Sequence, residues 1–466
     1  MNISSAKNTV RTELRAHEQP RPRYRMVMGT ALSAVAAGNA AVIVWLWLYG
    51  GGVSGVRGVG DLLTSLGRIT GLLSAYSALI QVLLLARLPW LERLAGFDRL
   101  TVWHRLNGKI CLLLVLAHTV LITIGYAAND RISIPAEVSA LLRTYPGMIA
   151  ATVGTALMVG VVVTSLVIVR RRLRYEAWYA VHLLAYAAIA LAWVHQIPTG
   201  NDLTANVAAS SYWNALYIVT IVLLLLFRIA APAFQAFRHQ LRVAEVTVEG
   251  SGVVTLRISG RRLDRLNARA GQFFLWRFLT PGRWWASHPF SLSAVPDGRS
   301  LRITVKQVGD FTGQIAAIAP GTRVVAEGPF GVFTGAVRRR ERSALIAGGI
   351  GITPIRALLE ELPGDVALIY RVIREDEVIF RQELETLAQR RGAALHYAIG
   401  DHNSPEGSQL LSPEHLRRLL PDIAERDIYV CGPPAMMRTV ERNLRTPASG
   451  SPGVPARQIH TERFAL

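Results

Sequence analysis

The stretch WHRLNGKICLLLVLAHTV (103–120) is apolar enough to lie in a bilayer, yet it carries an imidazole near each end, His104 and His118. A second stretch, WYAVHLLAYAAIALAWVHQ (178–196), repeats the arrangement with His182 and His195. The separations are 118 − 104 = 14 and 195 − 182 = 13 residues. In a helix rising about 1.5 Å per residue, the two imidazoles of each stretch then stand roughly 20 Å apart. Ionisable groups inside a membrane span are costly and mark function by default. One such histidine is well explained by an interhelical hydrogen bond, but four in two near-equal spacings point to two metal centres at different depths. Neutral imidazole is the usual axial ligand of haem iron. At about 100° per residue the longer spacing returns nearly to one helix face, whereas the shorter misses it by about 140°. The second helix is therefore expected to carry a bulge or tilt, or to ligate from its flank.

Apolar runs recur at roughly 27–49, 69–88, 104–126, 148–169, 178–197 and 212–231, each near the length a bilayer crossing requires. Over 466 residues the chain is 51% hydrophobic, which suits a membrane portion joined to a soluble one. Arginines set the expected orientation. The connection after the second run holds Arg87, Arg93, Arg99 and Arg105, the one after the fourth holds Arg170, Arg171, Arg172 and Arg174, and the N-terminal segment holds Arg15, Arg21, Arg23 and Arg25. The other connections are poorer, with Arg57 and Arg68, then Arg131 and Arg143, then none. An excess of positive charge inside puts both termini in the cytoplasm of a multi-pass cell-membrane protein. The third and fifth spans then run the same way, so His104 is expected opposite His182 at the inner level and His118 opposite His195 at the outer level. That is a path for electrons across the membrane.

Residues 1–24 are polar and rich in Arg and Pro and read as a disordered cytoplasmic tail. Arginines flanking the spans account for much of the net charge of +19, so nucleic acid is not an expected partner. Two cysteines, Cys111 and Cys431, build neither a disulfide framework nor a four-cysteine cluster. Without a C-x-x-C-H segment, any haem is held by coordination and packing.

Polarity changes after Phe237. Residues 238–338 read as short alternating strands, among them LRVAEVTV, VVTLRIS and SLRITVKQV, which suit a small antiparallel β-barrel. Residues 339–466 alternate strand-like runs such as SALIAGGIG, VALIYRV, ALHYAIG and DIYVCG with helical segments, which suits an α/β domain with a parallel sheet. Three stretches carry chemistry. HPFSLSA (288–294) can lay a ring and a hydroxyl along a flat heterocycle. In VKQVGDFTGQI, Gly309 to Thr312 open a helix whose free N–H groups can hold a pyrophosphate. In LIAGGIGITPIRALLEEL, a strand Ser343–Ala347 runs into Gly348, Gly349 and Gly351, and a helix starts around Pro354. Such a turn brings backbone amides to phosphate, although its spacing is not G-x-G-x-x-G.

In this order HPFS, VGDFT, EGPFG (327–331), GGIGITP and CGPPAMM (431–437) resemble the successive motifs of the ferredoxin–NADP reductase superfamily. Preceded by six spans with paired histidines, they resemble the ferric reductase and NADPH oxidase family, as a bacterial member, over residues 25–466. The resemblance implies a six-span haem domain (25–237), an FAD-binding β-barrel (238–338) and a Rossmann-like NAD(P)H-binding α/β domain (339–466). It implies His104, His118, His182 and His195 as ligands of two haems b. It sets His288, Pro289, Phe290 and Ser291 by the flavin, and Lys306, Gly309, Phe311 and Thr312 by its pyrophosphate. It sets Gly348, Gly349, Gly351, Thr353 and Pro354 at the dinucleotide turn, and Cys431, Gly432 and Pro433 beside the nicotinamide. Phe464 matches the C-terminal aromatic that covers the flavin. Arg371 and Arg374 follow VALIY where a 2′-phosphate would lie, which favours NADPH, and Arg68 resembles an arginine near the outer haem.

The implied activity is a relay from NADPH through FAD and the haems to an outside acceptor, oxygen or a ferric complex. A haem-free, membrane-anchored flavin reductase, or a subunit feeding a membrane partner or quinone, are the alternatives. Lipid is an expected partner, and a membrane partner or homo-oligomer stays open.

Overall fold

Runs of Val, Leu, Ala and Ile leave the helix as the backbone form that satisfies its own amides in lipid. The computed structural model describes residues 22–462 apart from 167–168, 170–171, 174, 205, 251, 282–283, 310 and 448–451. It divides into two units, Pro20–Ile229 and Ala230–Leu466. The first is built from α1 (Pro22–Tyr49), α2 (Val59–Leu84), α3 (Pro89–Ala95), α4 (Phe97–Asp130), α5 (Ile134–Thr144), α6 (Met148–Ser165), α7 (Tyr175–Thr199), α8 (Asn201–Thr204) and α9 (Val207–Leu225). Among the described residues, six segments are long and apolar enough to cross a membrane: Val27–Tyr49, Val59–Leu84, Arg99–Asp130, Met148–Ser165, Ala177–Thr199 and Val207–His239. Their outward sides are apolar, with Leu113 and Ile149 about two-thirds exposed. Of the expected tail, residues 1–21 lie outside the described residues and 22–24 belong to α1.

The second crossing starts at Val59, earlier than the hydropathy run at 69 suggests. Its first turns are small and polar, and Gly60, Ser65 and Gly67 are buried rather than lipid-facing. Local hydropathy misses a segment whose small residues serve helix–helix approach. The helix stops where Arg87 takes a left-handed φ of 62°, and Pro89 opens α3.

The sixth crossing continues through a π turn, Leu226–Ala230, into α10 (Ala231–His239). Then come β1 (Arg242–Gly250), β2 (Val253–Ser259), β3 (Phe273–Phe278), β4 (His288–Ser291), β5 (Ser300–Lys306) and β6 (Val324–Phe330). They form two three-stranded antiparallel sheets, β1-β2-β5 and β4-β3-β6. Two isolated bridges, Arg242 to Arg323 and Leu292 to Ile303, link them. The expected barrel is thus not closed. β4 is only four residues long and includes Pro289, which has no N–H to extend a ladder. Phe274, Trp276, Phe278, Leu256, Ile258 and Ile303 fill the core between the sheets.

A second sheet system follows, made of β7 (Ser343–Gly348), β8 (Val366–Val372), β9 (Ala394–Ile399), β10 (Asp427–Cys431) and β11 (Ile459–Glu462). The order is β11-β10-β7-β8-β9, all parallel. Helices α11 (Ile352–Glu361), α12 (Arg381–Arg391), α13 (Pro405–Gln409), α14 (Pro413–Leu419) and α15 (Pro434–Arg445) connect the strands. β7 and β8 are buried along their whole length, as central parallel strands covered on both faces are. Ion pairs fasten this sheet to the antiparallel pair: Glu383 meets Arg302 and Arg356, and the Val295 N–H donates to Glu360.

Candidate functional site

The four membrane histidines come together in two pairs. His104 on α4 faces His182 on α7 with ring centroids 6.0 Å apart, and His118 faces His195 at 6.4 Å. Two metal–imidazole bonds of about 2.0 Å in line, with a ring radius added at each side, separate the centroids of a trans pair by about 6 Å. Both pairs therefore fit one metal between two imidazoles. α7 is helical from Tyr175 to Thr199, so the expected bulge is absent, and His182 and His195 reach α4 from different flanks of one helix.

Three of the four Nδ1 atoms are engaged. His118 Nδ1 lies 2.7 Å from the Gly67 carbonyl and His104 Nδ1 3.1 Å from the Gln81 carbonyl. A carbonyl only accepts, so these Nδ1 atoms carry the proton and Nε2 keeps its lone pair, the form that ligates metal. His182 Nδ1 is 3.3 Å from Ser165 Oγ, which also accepts from Trp178 Nε1, and the Trp178 ring stacks on His182 at 5.0 Å. His195 Nδ1 is buried with no hydrogen-bond partner among the described residues. Gly71 makes room for the outer pair: a Cβ there would sit 2.5 Å from His118 Nδ1.

Sequence reading missed the polar residues that hold this arrangement. Asn107 Nδ2 donates to the Ser77 carbonyl at 2.9 Å and to Gln81 Oε1 at 2.8 Å, and Gln81 Nε2 donates to the His104 carbonyl at 2.8 Å. Ser77 and Gln81 are four residues apart in the apolar second half of α2, and that spacing was the available signal. Arg68 is not at the entrance of its span but inside α2. It forms an ion pair with buried Asp202, Nε to Oδ2 at 3.0 Å, and donates to the Gly50 carbonyl at 2.8 Å. Its charge is met within the protein.

In the antiparallel sheets, β4 lays His288, Pro289, Phe290 and Ser291 opposite Trp276, Leu275, Phe274 and Phe273. The first three are half-buried, whereas Ser291 is buried, its Oγ lacking a hydrogen-bond partner among the described residues. Trp276 Nε1 donates to the Phe290 carbonyl at 2.9 Å, and His288 stacks on Phe311 at 3.7 Å. The expected helix at Gly309–Thr312 is instead a 3-10 turn, Thr312–Ala317. The N–H groups of Val308 and Gly309 both donate to Thr312 Oγ1 at 3.0 Å, so they are clipped to a side chain. Lys306 ends β5, exposed. Phe464 lies outside the described residues.

In the parallel sheet, β7 delivers Gly348, Gly349 and Gly351 to the start of α11, and Thr353 and Pro354 are buried in its first turn. Gly351 packs so tightly on the Cys431 carbonyl that no Cβ fits. The register sets Cys431 beside Ala347, so Gly432 and Pro433 leave β10 next to the glycine turn. Cys431 is fully buried. Burial, with Glu462 adding to it, pushes its thiol well above the usual range. Arg371 is buried and spends its guanidinium on the carbonyls of Val372, Ala398 and Gly407. Arg374 is exposed and paired with Asp376 and Glu377.

Three family models match the chain in order. They are a ferric reductase-like transmembrane component over residues 70–193, an FAD-binding domain over 238–334 and an oxidoreductase NAD-binding domain over 345–442. Among curated proteins, the chain is 29% identical over 156 residues to NADH-cytochrome b5 reductase 1 of Laccaria bicolor, covering 31% of this chain and 51% of that one. It is 27% identical over 191 residues to ferredoxin–NADP reductase B of Sorangium cellulosum, covering 38% and 77%. The chain spans about half the length of the cytochrome b5 reductases it matches. Among solved structures, the flavohem-like FAD/NAD binding domain of nitric oxide dioxygenase from Vibrio cholerae O1 biovar El Tor is 25% identical, with a TM-score of 0.39, over 48% of this chain and 98% of that one. A ferredoxin–NADP+ reductase from Neisseria gonorrhoeae is 18% identical, with a TM-score of 0.40, over 48% and 98%. With a ferric reductase-like membrane component followed by FAD-binding and NAD-binding domains, the chain has the domain architecture of the ferric reductase and NADPH oxidase family.

Proposed function

We propose that the chain is a transmembrane NAD(P)H oxidoreductase that moves electrons from the cytoplasm to an acceptor on the other side, oxygen or a ferric chelate. His104 with His182 and His118 with His195 would hold two haems b, residues 238–338 an FAD, and residues 339–466 the dinucleotide. The observation that carries this reading is the two imidazole pairs, with ring centroids 6.0 and 6.4 Å apart, 14 residues from each other along α4. When bound, FAD supplies the exchange between a hydride and single electrons, and haem iron carries one electron at a time.

The chain's own residues bind, orient and exclude water. The Gly67 and Gln81 carbonyls hold Nδ1–H of His118 and His104, so that Nε2 is presented as a lone pair. The buried Ser291 hydroxyl, without a protein partner among the described residues, is left to meet a polar edge of the flavin. The β7–α11 turn offers amides to phosphate, and buried Cys431 packs beside it. Arginine-rich connections on one side support cytoplasmic termini.

The test is a dithionite-reduced minus oxidised absorption spectrum of detergent-purified protein, with haem quantified against flavin. About two haems per flavin with bis-imidazole low-spin bands is the expected result, falling to about one in His118→Ala or His195→Ala while dye reduction continues. Flavin without haem would sink the transmembrane route and leave a membrane-anchored flavin reductase.

A further inference from the structure

Given the dinucleotide site proposed above, on which the cofactor preference rests, a dinucleotide seated on the β7–α11 turn directs its adenosine half toward the end of β8. There the register puts Arg371 beside Gly348. In dinucleotide-binding folds the group that reads the 2′ position follows the glycine turn by about 20 residues, an acidic side chain for a 2′-hydroxyl and an arginine for a 2′-phosphate. Two arginines stand in that region, and the structure commits both elsewhere.

Arg371 is 8% exposed. Its Nη1 donates to the Val372 carbonyl and, at 3.2 Å, to that of Ala398, and its Nη2 donates to Gly407 at 3.3 Å. Turning it outward would strip three buried carbonyls of their donor, a loss that costs more than an exposed contact returns. Arg374 faces solvent, but Nε lies 3.1 Å from Asp376 Oδ1 and Nη2 lies 3.2 Å from Glu377 Oε1. Glu377 also accepts from the Ile373 N–H at 3.3 Å, which anchors it over the strand end. Glu375 is paired with Arg381.

Residues 374–377 thus set three carboxylates against one guanidinium, 1 − 3 = −2 at neutral pH. A 2′-phosphate brought to that segment meets charge of its own sign and must compete for Arg374 with two carboxylates already on it. A ribose hydroxyl meets acceptors, since an ionised carboxylate only accepts and a hydroxyl can donate. We infer that the segment Arg374–Glu377 selects NADH over NADPH, with Asp376 and Glu377 accepting from the adenosine ribose hydroxyls.

The experiment titrates full-length, FAD-loaded protein in detergent with ADP-ribose and with its 2′-phosphorylated form, by calorimetry. In parallel it measures kcat/KM for NADH and NADPH with a soluble dye, an acceptor that does not need the histidine pairs. The unphosphorylated compound should bind at least tenfold more tightly, and kcat/KM should favour NADH by a similar factor. The double variant Asp376→Asn, Glu377→Gln keeps both shapes, removes two charges and frees Arg374. It should bring the two affinities within about threefold while retaining its FAD, which reports that it has folded. Equal or tighter binding of the 2′-phosphorylated compound overturns the inference, as does a double variant with an unchanged ratio or a protein that binds neither compound. NADH preference without any haem signal leaves the inference standing and sinks only the transmembrane route.

Discussion

A histidine becomes a ligand through what its other nitrogen does. Gly67 and Gln81 contribute backbone carbonyls to that end, and no side-chain pattern announces a carbonyl. Gly71 is the sharpest point of this geometry, because a methyl group there would press on His118 Nδ1 at 2.5 Å. Gly71→Ala is expected to lose the outer haem alone, lowering haem per flavin from about two to about one in the difference spectrum, with flavin unchanged. A second residue-scale expectation concerns Glu92 on α3, between the second and third spans. Burial pushes its carboxyl up to about 8, outweighing Arg87 and Arg228, which pull it down. The folded state then holds a proton that the unfolded chain releases in the ordinary carboxyl range. It binds more protons between those limits, so stability falls as pH rises through that window. Glu92→Gln should flatten this fall, and Tm followed in detergent from about pH 5 to 8 is the measurement. An unchanged slope would show that the carboxyl is already ionised.

Among the elements, helix pairing and sheet docking rest on small polar sets. Ser77, Gln81 and Asn107 lock α2 to α4 at the level of His104. Asn107→Leu should cost about 1 kcal/mol, typical of an interhelical hydrogen bond in a membrane. It should also perturb the inner haem spectrum more than the outer. Between the two sheet systems, Glu383 serves both Arg302 and Arg356, whose side chains are 16% and 6% exposed. Glu383→Ala leaves two nearly buried guanidinium groups with less compensation, and Glu360 still meets one of them. The expected loss is about 2 kcal/mol, read as a lower Tm of the flavin-bound unit. The succession of strands was legible because the runs alternate or are largely apolar, as VVTLRIS and VALIYRV are. Closure of the barrel was not, since the proline within a four-residue β4 limits pairing in three dimensions. The 3-10 turn at Thr312 was hidden for a related reason: its hydroxyl competes for the same amides that a longer helix would leave open.

On the scale of the whole molecule, the division at Ala230 separates a membrane unit from a unit with three cores of its own. A fragment of residues 230–466 is expected to fold without the spans, bind FAD and reduce a soluble dye with NADH. A fragment that binds no flavin would show that the spans complete the FAD site. By itself the amino-acid sequence determined the number of apolar crossings, the histidine spacings, the succession of strands and the glycine turn. All of these are local, written in hydropathy, period and backbone chemistry over a few tens of residues. Only the tertiary structure decided that His104 faces His182 and His118 faces His195, with Nδ1 of His104 and His118 on carbonyls and that of His182 by a hydroxyl. It alone joined Arg68 to Asp202, 134 residues away, and buried Arg371 on carbonyls that include those of Ala398 and Gly407 in two other segments. The physical reason is that a charged or ligating side chain takes the partner that packing brings to it. Partners so distant in the chain are chosen by how helices and strands pack, which no local pattern records.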